Sequence, residues 1–457
     1  MPFHVYRDIA GWQSQNLPIT TTSNEASRMF DSCISQFIAW REDEYGLGTA
    51  MEKMVSADPE FVLGKVLVHT LNLIGTGDSG KKNPKIIEEL KFLRGIAKIQ
   101  GVSERERLHL EAALRLAEGS MHTACEVWEK ILQSHPTDML AIKAAHDCYF
   151  YLGKQQDMRT SIERVMPKWK TDLPLYSYLY GMQAFGLCET GSYEKASQMA
   201  LRGLELNRND AWATHANAHV FEMTTQPSQG ISFMSRTVAD WQPCGLLACH
   251  NFWHWALYHI EKGETEAAID LFDSEVEKRC GSGSMLDYVD GASLLYRLEL
   301  EGINVGRRWT SLYAVTKEHL YDHILVFNDA HFAMTLLGLK DKEHFNKFQG
   351  SLNSVEDVAE IDNTKITTLF GKKLIQAMKD YSEGNFDACA SVLIPLESQL
   401  VQMGGSDAQR DVFNLLLLNA AIRSHNHQED AKKLLDCRAA VRRASPMVNR
   451  LKKRLVP

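Results

Sequence analysis

The sequence predicts an all-α fold made of antiparallel helix pairs. Its 29 glycines and 12 prolines among 457 residues are too few for an all-β chain, which needs a turn roughly every 8 to 12 residues. Apolar residues recur at helical spacing in nearly every segment, and one glycine-centred pattern returns several times. Because 44% of the residues are apolar and 24% are charged, the chain can bury a large core, which excludes a disordered or collagen-like protein.

The first hundred residues predict helices that lack this pattern. Ser23 and Glu25 begin a segment with apolar residues at helical spacing, and Asp58 followed by Pro59 predicts the start of a second helix. Since the terminal units of a helical array need a polar outer face, we expect residues 1–104 to form an N-terminal helical cap.

The segment GTGDSGKK, residues 75–82, partly matches a phosphate-binding loop. In such a loop the glycines let backbone amides face the phosphates, and a Ser or Thr after the lysine holds magnesium. Position 82 is Lys, and no buried strand is expected before the segment. The sequence therefore favours a connection between two helices over a nucleotide site.

The recurring pattern combines a glycine turn, a small residue five positions later and a large apolar residue four positions after that. A capping box of Ser103 and Glu106 begins the first copy, which continues with Gly119, Ala124 and Trp128. Further copies begin at these glycines: Gly191, Gly263 and Gly384. Each copy predicts a helix pair in which the small residue lets the two helices approach and the large one fills the groove between them.

The spacing of these copies divides the chain into nine predicted units. They cover residues 105–138, 139–172, 177–210, 211–248, 249–284, 286–322, 324–350, 370–404 and 406–445. The predicted organisation is the cap over 1–104, central repeats over 105–350, an acidic connecting loop over 351–363, C-terminal helix pairs over 364–445, and a basic tail over 446–457.

Several longer strings resemble one family of such repeats. They include HPTDMLAIKAAHDCYFYLG, DAWATHANAHVFEM and LACHNFWHWALYHIEKGE. These strings are similar to the tetratricopeptide repeat protein 38 family, and the similarity runs from about residue 12 to about residue 445. The resemblance implies a right-handed superhelical solenoid of antiparallel helix pairs. It implies no activity, substrate or catalytic residue.

The resemblance also implies which residues line the inner wall, because the first helix of each tetratricopeptide pair faces the concave side. Applied to the units above, it places most of the unusual polar chemistry on that wall. The candidate groove residues are His215, His219, Glu222, His250, Trp253, His254, Asp290, Arg297, Asn328 and Asp329, with Lys143 and Asp147 from an earlier unit.

Two histidine pairs within this set have i,i+4 spacing, which brings two imidazoles onto one helix face. They are His215 with His219 and His250 with His254. Together the four are candidate ligands for zinc or another divalent metal. Two other interpretations stay open: hydrogen bonds within the core, with a histidine donating to Asp290 or Asp329, and binding of a polar ligand.

Two functions fit these observations. The first is a non-catalytic scaffold or adaptor, without a cofactor, that binds a peptide or protein partner in the concave groove. The alternative is an enzyme or a small-molecule or metal-binding protein that uses the histidine, carboxylate and arginine cluster. No HExxH, GxSxG or kinase signature occurs, and no catalytic residue is assigned.

The net charge and the cysteines indicate which partners and which cellular compartment to expect. The net charge of -8 and the pI near 6.1 argue against a nucleic-acid partner, and we interpret the basic stretch from Arg438 to Arg454 as a helix end and tail. No apolar run approaches membrane-spanning length, and the N-terminus lacks the pattern of a signal peptide. Nine cysteines without a CxxC pair fit a reducing compartment, so we predict a cytoplasmic protein; the oligomeric state is not predicted.

Overall fold

The computed structural model describes residues 4–455. Helices make up 73% of the chain and no strand occurs within 4–455, so the all-α prediction is confirmed. In this range every helix is too short or too polar to span a lipid bilayer. The chain forms two compact units. Among the described residues, unit 1 comprises 4–216, 240–248 and 360–362, and unit 2 comprises 217–239, 249–359 and 363–455.

The helices follow one another with short connections. The α-helices are α1 (Ile9–Ser14), α2 (Asn24–Ala39), α3 (Leu47–Ala57), α4 (Val62–Ile74), α5 (Pro84–Ile99), α6 (Glu104–Ala117), α7 (Met121–Ser134), α8 (Met139–Tyr151), α9 (Gln155–Val165), α10 (Tyr178–Glu189), α11 (Tyr193–Leu206), α12 (Ala211–Met223), α13 (Pro227–Trp241), α14 (Ala248–Lys262), α15 (Thr265–Leu271), α16 (Glu277–Cys280), α17 (Met285–Leu300), α18 (Arg308–Thr316), α19 (Val326–Gly338), α20 (Lys342–Asn353), α21 (Asp362–Ile366), α22 (Lys372–Ser382), α23 (Phe386–Leu393), α24 (Asp407–Arg423), α25 (Gln428–Val441) and α26 (Pro446–Lys452). Shorter 3-10 or π segments are Met166–Lys168, Phe272–Val276, Thr367–Gly371 and Ile394–Met403.

Single residues in the left-handed conformation reverse the chain between paired helices. In six pairs the residue is a glycine with φ between +64° and +90°. Glycine adopts this conformation without steric strain because it has no Cβ. These glycines are Gly119, Gly153, Gly191, Gly263, Gly302 and Gly384. In two further pairs Thr225 and Lys340 adopt the same conformation, with φ of +56° and +59°. The pairs that lack the glycine signal in the sequence therefore use the same turn at a cost in strain.

The cap of unit 1 differs from the predicted helix starts at one point. Ser23 is the N-cap of α2 as expected, because its hydroxyl accepts from the amide of Ala26. The helix predicted to start at Asp58 begins instead at Val62, since the Asp58 carboxylate accepts from the Glu60 amide at 3.0 Å and closes a turn there. The glycine-rich segment 75–82 is the predicted connection, as it lies between α4 and α5.

A buried carboxylate fastens the N-terminal residues to this cap. Asp31 on α2 is fully buried and accepts from the Arg7 side chain at 3.0 Å and from the Arg7 amide at 2.7 Å. The Nε2 atom of His4 lies 3.1 Å from the same carboxylate. Burial alone would raise the pKa of Asp31, but the charge of Arg7 and the contact with His4 lower it to about 2.

The second half of the chain differs from the predicted organisation at two places. The loop predicted over 351–363 is shorter, since α20 extends to Asn353 and α21 begins at Asp362. The predicted basic tail over 446–457 contains helix α26, which the Ser445 hydroxyl caps. This segment folds because Met447, Val448 and Leu451 are buried. Its Arg450 also donates to the carbonyls of Ile260 and Glu261 at the end of α14, at 2.7 and 2.9 Å.

All nine cysteines lie within residues 4–455, and in this range they form no disulfide. Eight are buried, and Cys437 on α25 is exposed. Burial raises the pKa of the Cys33 thiol to about 12, so this thiol remains protonated.

The left-handed conformation of Thr225 and Gly302 predicts opposite effects on stability when a threonine is replaced by glycine and a glycine by threonine. We expect Thr225→Gly to raise the free energy of unfolding by about 1 kcal/mol, because a β-branched residue pays for the left-handed conformation. Gly302→Thr should lower it by a similar amount, since nothing lies within 4 Å of the added Cβ and only the backbone changes. Urea unfolding of both variants checks this, and equal stabilities would contradict it.

The Asp31 contact predicts a pH dependence. Its pKa of about 2 in the folded state lies below the ordinary value of 3.8, so its contribution is present above about pH 4 and is lost as the pH falls towards 2. Asp31→Asn should therefore cost on the order of 2 kcal/mol at pH 7, and the gap between variant and wild type should close near pH 2. Denaturant unfolding from pH 2 to 7 measures this, with the exposed Glu25→Gln as control. A gap that is constant with pH would refute the assignment.

Candidate functional site

Three histidines of unit 2 meet in the core between two helices. His219 comes from the last turns of α12, and His250 and His254 come from α14, whose residues are buried on nearly every side. All three side chains are buried. The ring centroids of His219 and His254 lie 4.3 Å apart, and those of His250 and His254 lie 4.8 Å apart. One ring nitrogen of each histidine lies within 4.8 Å of a nitrogen of the other two, so the imidazoles could share a ligand.

Two carboxylates orient these rings. The Nδ1 atom of His250 lies 2.8 Å from the Asp290 carboxylate of α17, and the Nδ1 atom of His254 lies 3.1 Å from that of Glu222 on α12. A carboxylate at Nδ1 fixes the tautomer and the ring plane, and it directs Nε2 to the opposite side of the ring. One interpretation of the sequence was a hydrogen bond between a histidine and Asp290, and the contact of His250 with Asp290 confirms it. It is also compatible with a ligand at Nε2.

Burial sets the charge of this cluster. It lowers the pKa of His219 and of His254 well below the ordinary value, and the neighbouring histidines lower both further. Burial likewise raises the pKa of Asp290, although contact with His250 opposes the change. His219 and His254 are thus neutral, which is the form of histidine that binds metals.

A second group of charges adjoins the histidines within unit 2. Both terminal nitrogens of Arg438 on α25 donate to the Asp411 carboxylate on α24, at 2.6 and 2.8 Å. Arg297 on α17 donates to the carbonyl of Ala408 at 2.7 Å, and its other terminal nitrogen lies 3.7 Å from Asp411. Helix α24 is therefore fixed against α17 by a buried charge network.

Arg442 connects this network to the histidines. Its Nη2 atom lies 3.6 Å from Asp411 and 3.7 Å from the Glu222 carboxylate that orients His254. Burial alone would raise the pKa of Asp411, but Arg438 and Arg442 hold that pKa well below its ordinary value. Asp411, Arg438 and Arg442 were not among the predicted site residues, although the run of bases that begins at Arg438 is visible in the sequence.

A small cavity of about 20 Å³ lies among these groups, with room for about one water molecule. Its charged lining residues are Glu222, Glu261, Arg297, Asp411, Arg438 and Arg442. The cavity is thus bounded by balanced charges and adjoins Glu222.

The remaining predicted site residues make other contacts within each unit. His215 precedes His219 by one turn on α12, and in unit 1 its ring packs against Phe185 and Trp212. Trp253 stacks on His250 with ring centroids 5.0 Å apart. In α19, Asp329 bonds His323 Nδ1 at 3.0 Å, and Asn328 beside it is buried.

The predicted Lys143 and Asp147 form a separate buried pair in unit 1. The Lys143 ammonium donates to Asp147 at 2.6 Å and lies 4.3 Å from the ring centroid of Trp40 and 4.6 Å from that of Phe37. Burial lowers the pKa of Lys143, and the Asp147 charge opposes this. The pair is enclosed by aromatic rings.

Burial is common to all the predicted groove residues. Each of the twelve candidate groove residues, from Lys143 to Asp329, is less than 9% exposed. In unit 2 the physical reason is that α24 lies against α17 and covers Arg297. The chain matches no family model.

The charge network predicts the effect of removing its carboxylate. Asp411→Asn removes the negative charge that Arg297, Arg438 and Arg442 share, and two of these arginines, Arg297 and Arg442, are buried. We therefore expect a loss of about 3 to 5 kcal/mol in the free energy of unfolding. The control is Asp407→Asn on the same helix, whose partly exposed carboxylate pairs with Arg410 and should contribute about 1 kcal/mol or less. Denaturant unfolding compares the two. Equal losses would show that Asp411 does not hold α24 in place.

Proposed function

We propose that the protein binds a divalent metal ion, and zinc best fits the donors, through His219, His250 and His254. One observation carries the proposal: three buried imidazoles converge from two helices, and two of them have Nδ1 held by a buried carboxylate. Metal-binding histidines commonly donate their other ring nitrogen to a carboxylate, which raises their basicity and fixes their direction. Neutral imidazoles suit zinc better than magnesium or calcium, which prefer oxygen.

The enclosed site would hold zinc as a structural ion, because all three histidines are buried and the adjoining cavity has room for about one water molecule. Zinc held by three imidazole ligands would still be able to bind one water molecule and to lower its pKa. Glu222 and Asp290 would hold the ligand rings, and Arg297, which bonds the Ala408 carbonyl, would keep α24 over the site. The enclosing helices would limit access of bulk water.

Partner binding in a concave groove stays a prediction. The candidate groove residues of unit 2 are buried, so a peptide would have to displace α24 before it could contact Arg297 or His250. This cost is the reason for preferring the second of the two sequence interpretations.

We propose that the chain belongs to the tetratricopeptide repeat protein 38 family and that its pairs form a right-handed superhelix. The support is the succession of helix pairs with left-handed turn residues and buried small residues such as Ala124 and Ala196. The free thiols of the cysteines support the proposed cytoplasmic location.

The metal proposal predicts a stoichiometry. Protein purified without chelator should carry about one equivalent of zinc by elemental analysis. Removing the ion should lower the melting temperature, because zinc at a thousandfold excess over Kd contributes about 4 kcal/mol to the folded state. His250→Gln and His254→Gln should each lose the metal and the response to chelator. His215→Gln tests whether the imidazole one turn earlier on α12 contributes.

The matched control is His331→Gln, another fully buried histidine of unit 2, whose Nδ1 bonds the carbonyl of Phe327 at 2.7 Å. This variant should keep its zinc even where it loses stability. A wild-type protein that is free of metal, and whose melting temperature does not respond to added zinc, would refute the proposal. Equal loss of metal from all variants, His331→Gln included, would trace the loss to general destabilisation.

A further inference from the structure

Helix α5 of unit 1 carries two large apolar side chains that point into solvent. Phe92 is 67% exposed and Ile99 is 88% exposed. They are seven residues apart, so they lie along one stripe of the helix. The opposite face is buried through Leu90 and Leu93 and packs against α4 and α6. The stripe is therefore presented outward by a helix that is firmly attached.

Positive charges lie beside this stripe. The helix and the residue three positions before it carry five exposed cations that form no ion pair among residues 4–455: Lys81, Lys85, Lys91, Arg94 and Lys98. The two acids of the helix are Glu88 and Glu89, and Glu89 contacts His69 at 3.1 Å. In a protein with a net charge of -8, this surface is locally positive.

The C-terminal bases provide a contrast. In unit 2, Arg438 is bound to Asp411, Arg450 to Glu301 and Lys452 to Asp436, so these charges are neutralised by the chain itself. The cations of α5 have no such partner in the described part of the chain, and a surface outside the chain could neutralise them.

We propose that α5 docks on an anionic lipid surface, with Phe92 and Ile99 inserted among the headgroups and acyl chains and the cations at the phosphates. Helices that lie in a membrane interface combine such an apolar stripe with Lys and Arg beside it. A nucleic acid or an acidic peptide would neutralise the cations and leave Ile99 in water. Gly95 lies between the two apolar residues, and nothing lies within 4 Å of the position of its absent Cβ, so the stripe is open to a lipid.

The test uses the full-length protein and vesicle sedimentation. Vesicles of phosphatidylcholine with about a third phosphatidylserine should bind it, vesicles of phosphatidylcholine alone should not, and added salt should weaken binding. Lys91→Gln with Lys98→Gln should weaken binding about fivefold per charge removed. Phe92→Ser with Ile99→Ser should reduce it at least tenfold. Gly95→Phe should strengthen it several-fold, because it adds an apolar side chain without a clash.

A matched control makes the same types of change on α25. The variant Val441→Ser with Lys433→Gln alters an apolar residue that is 64% exposed and an exposed lysine, and it should leave binding unaltered. The α5 changes are at exposed positions, so melting temperatures should remain close to wild type and a loss of binding can be attributed to the surface.

Failure of the wild type to bind anionic vesicles would overturn the proposal, as would binding that the α5 variants do not alter. Capture of transfer RNA or polyglutamate as strong as that of vesicles, and insensitive to Phe92→Ser, would also overturn it. The metal content plays no part in this test.

Discussion

The buried carboxylate of Asp411 is the contact on which the arrangement of unit 2 depends. It binds Arg438 through two hydrogen bonds and lies close to Arg442. Arg442 approaches Glu222, and Glu222 holds the ring of His254. The orientation of an imidazole on α14 thus depends on a charge more than 150 residues later in the chain. Such a network is costly to desolvate, so it holds one arrangement only while every member is present.

The sequence predicted the helix pairs well because their signals are local. A glycine turn and a small residue five positions on, such as Gly119 and Ala124, act within one hairpin. The turns at Thr225 and Lys340 were not recognisable, since the strain of a left-handed residue is compensated by packing around it. The contact of Arg438 with Asp411 joins different elements, and no periodicity along the chain indicates it.

The sequence predicted which side chains of the candidate site come together, but it did not predict that they are buried. The i,i+4 spacing of His250 and His254 correctly placed both on one face, as their 4.8 Å ring separation shows. The expected open groove depended on analogy with other repeats, and the position of α24 against α17 lies outside that analogy. Composition also cannot distinguish paired from unpaired bases. In the run that begins at Arg438, both Arg438 and Arg442 lie against Asp411, whereas the less conspicuous bases of α5 are exposed.

The exposure of Cys437 makes the chain suited to labelling at one site. The other eight thiols are buried, and those such as Cys33 remain protonated, so a maleimide dye should react first at α25. Cys437 lines an outer pocket of about 280 Å³ beside Arg438 and Asp411. A fluorophore there would sense the polarity of that pocket and the docking of α25. Its emission would report, without mutation, whether this end of unit 2 opens and closes in solution.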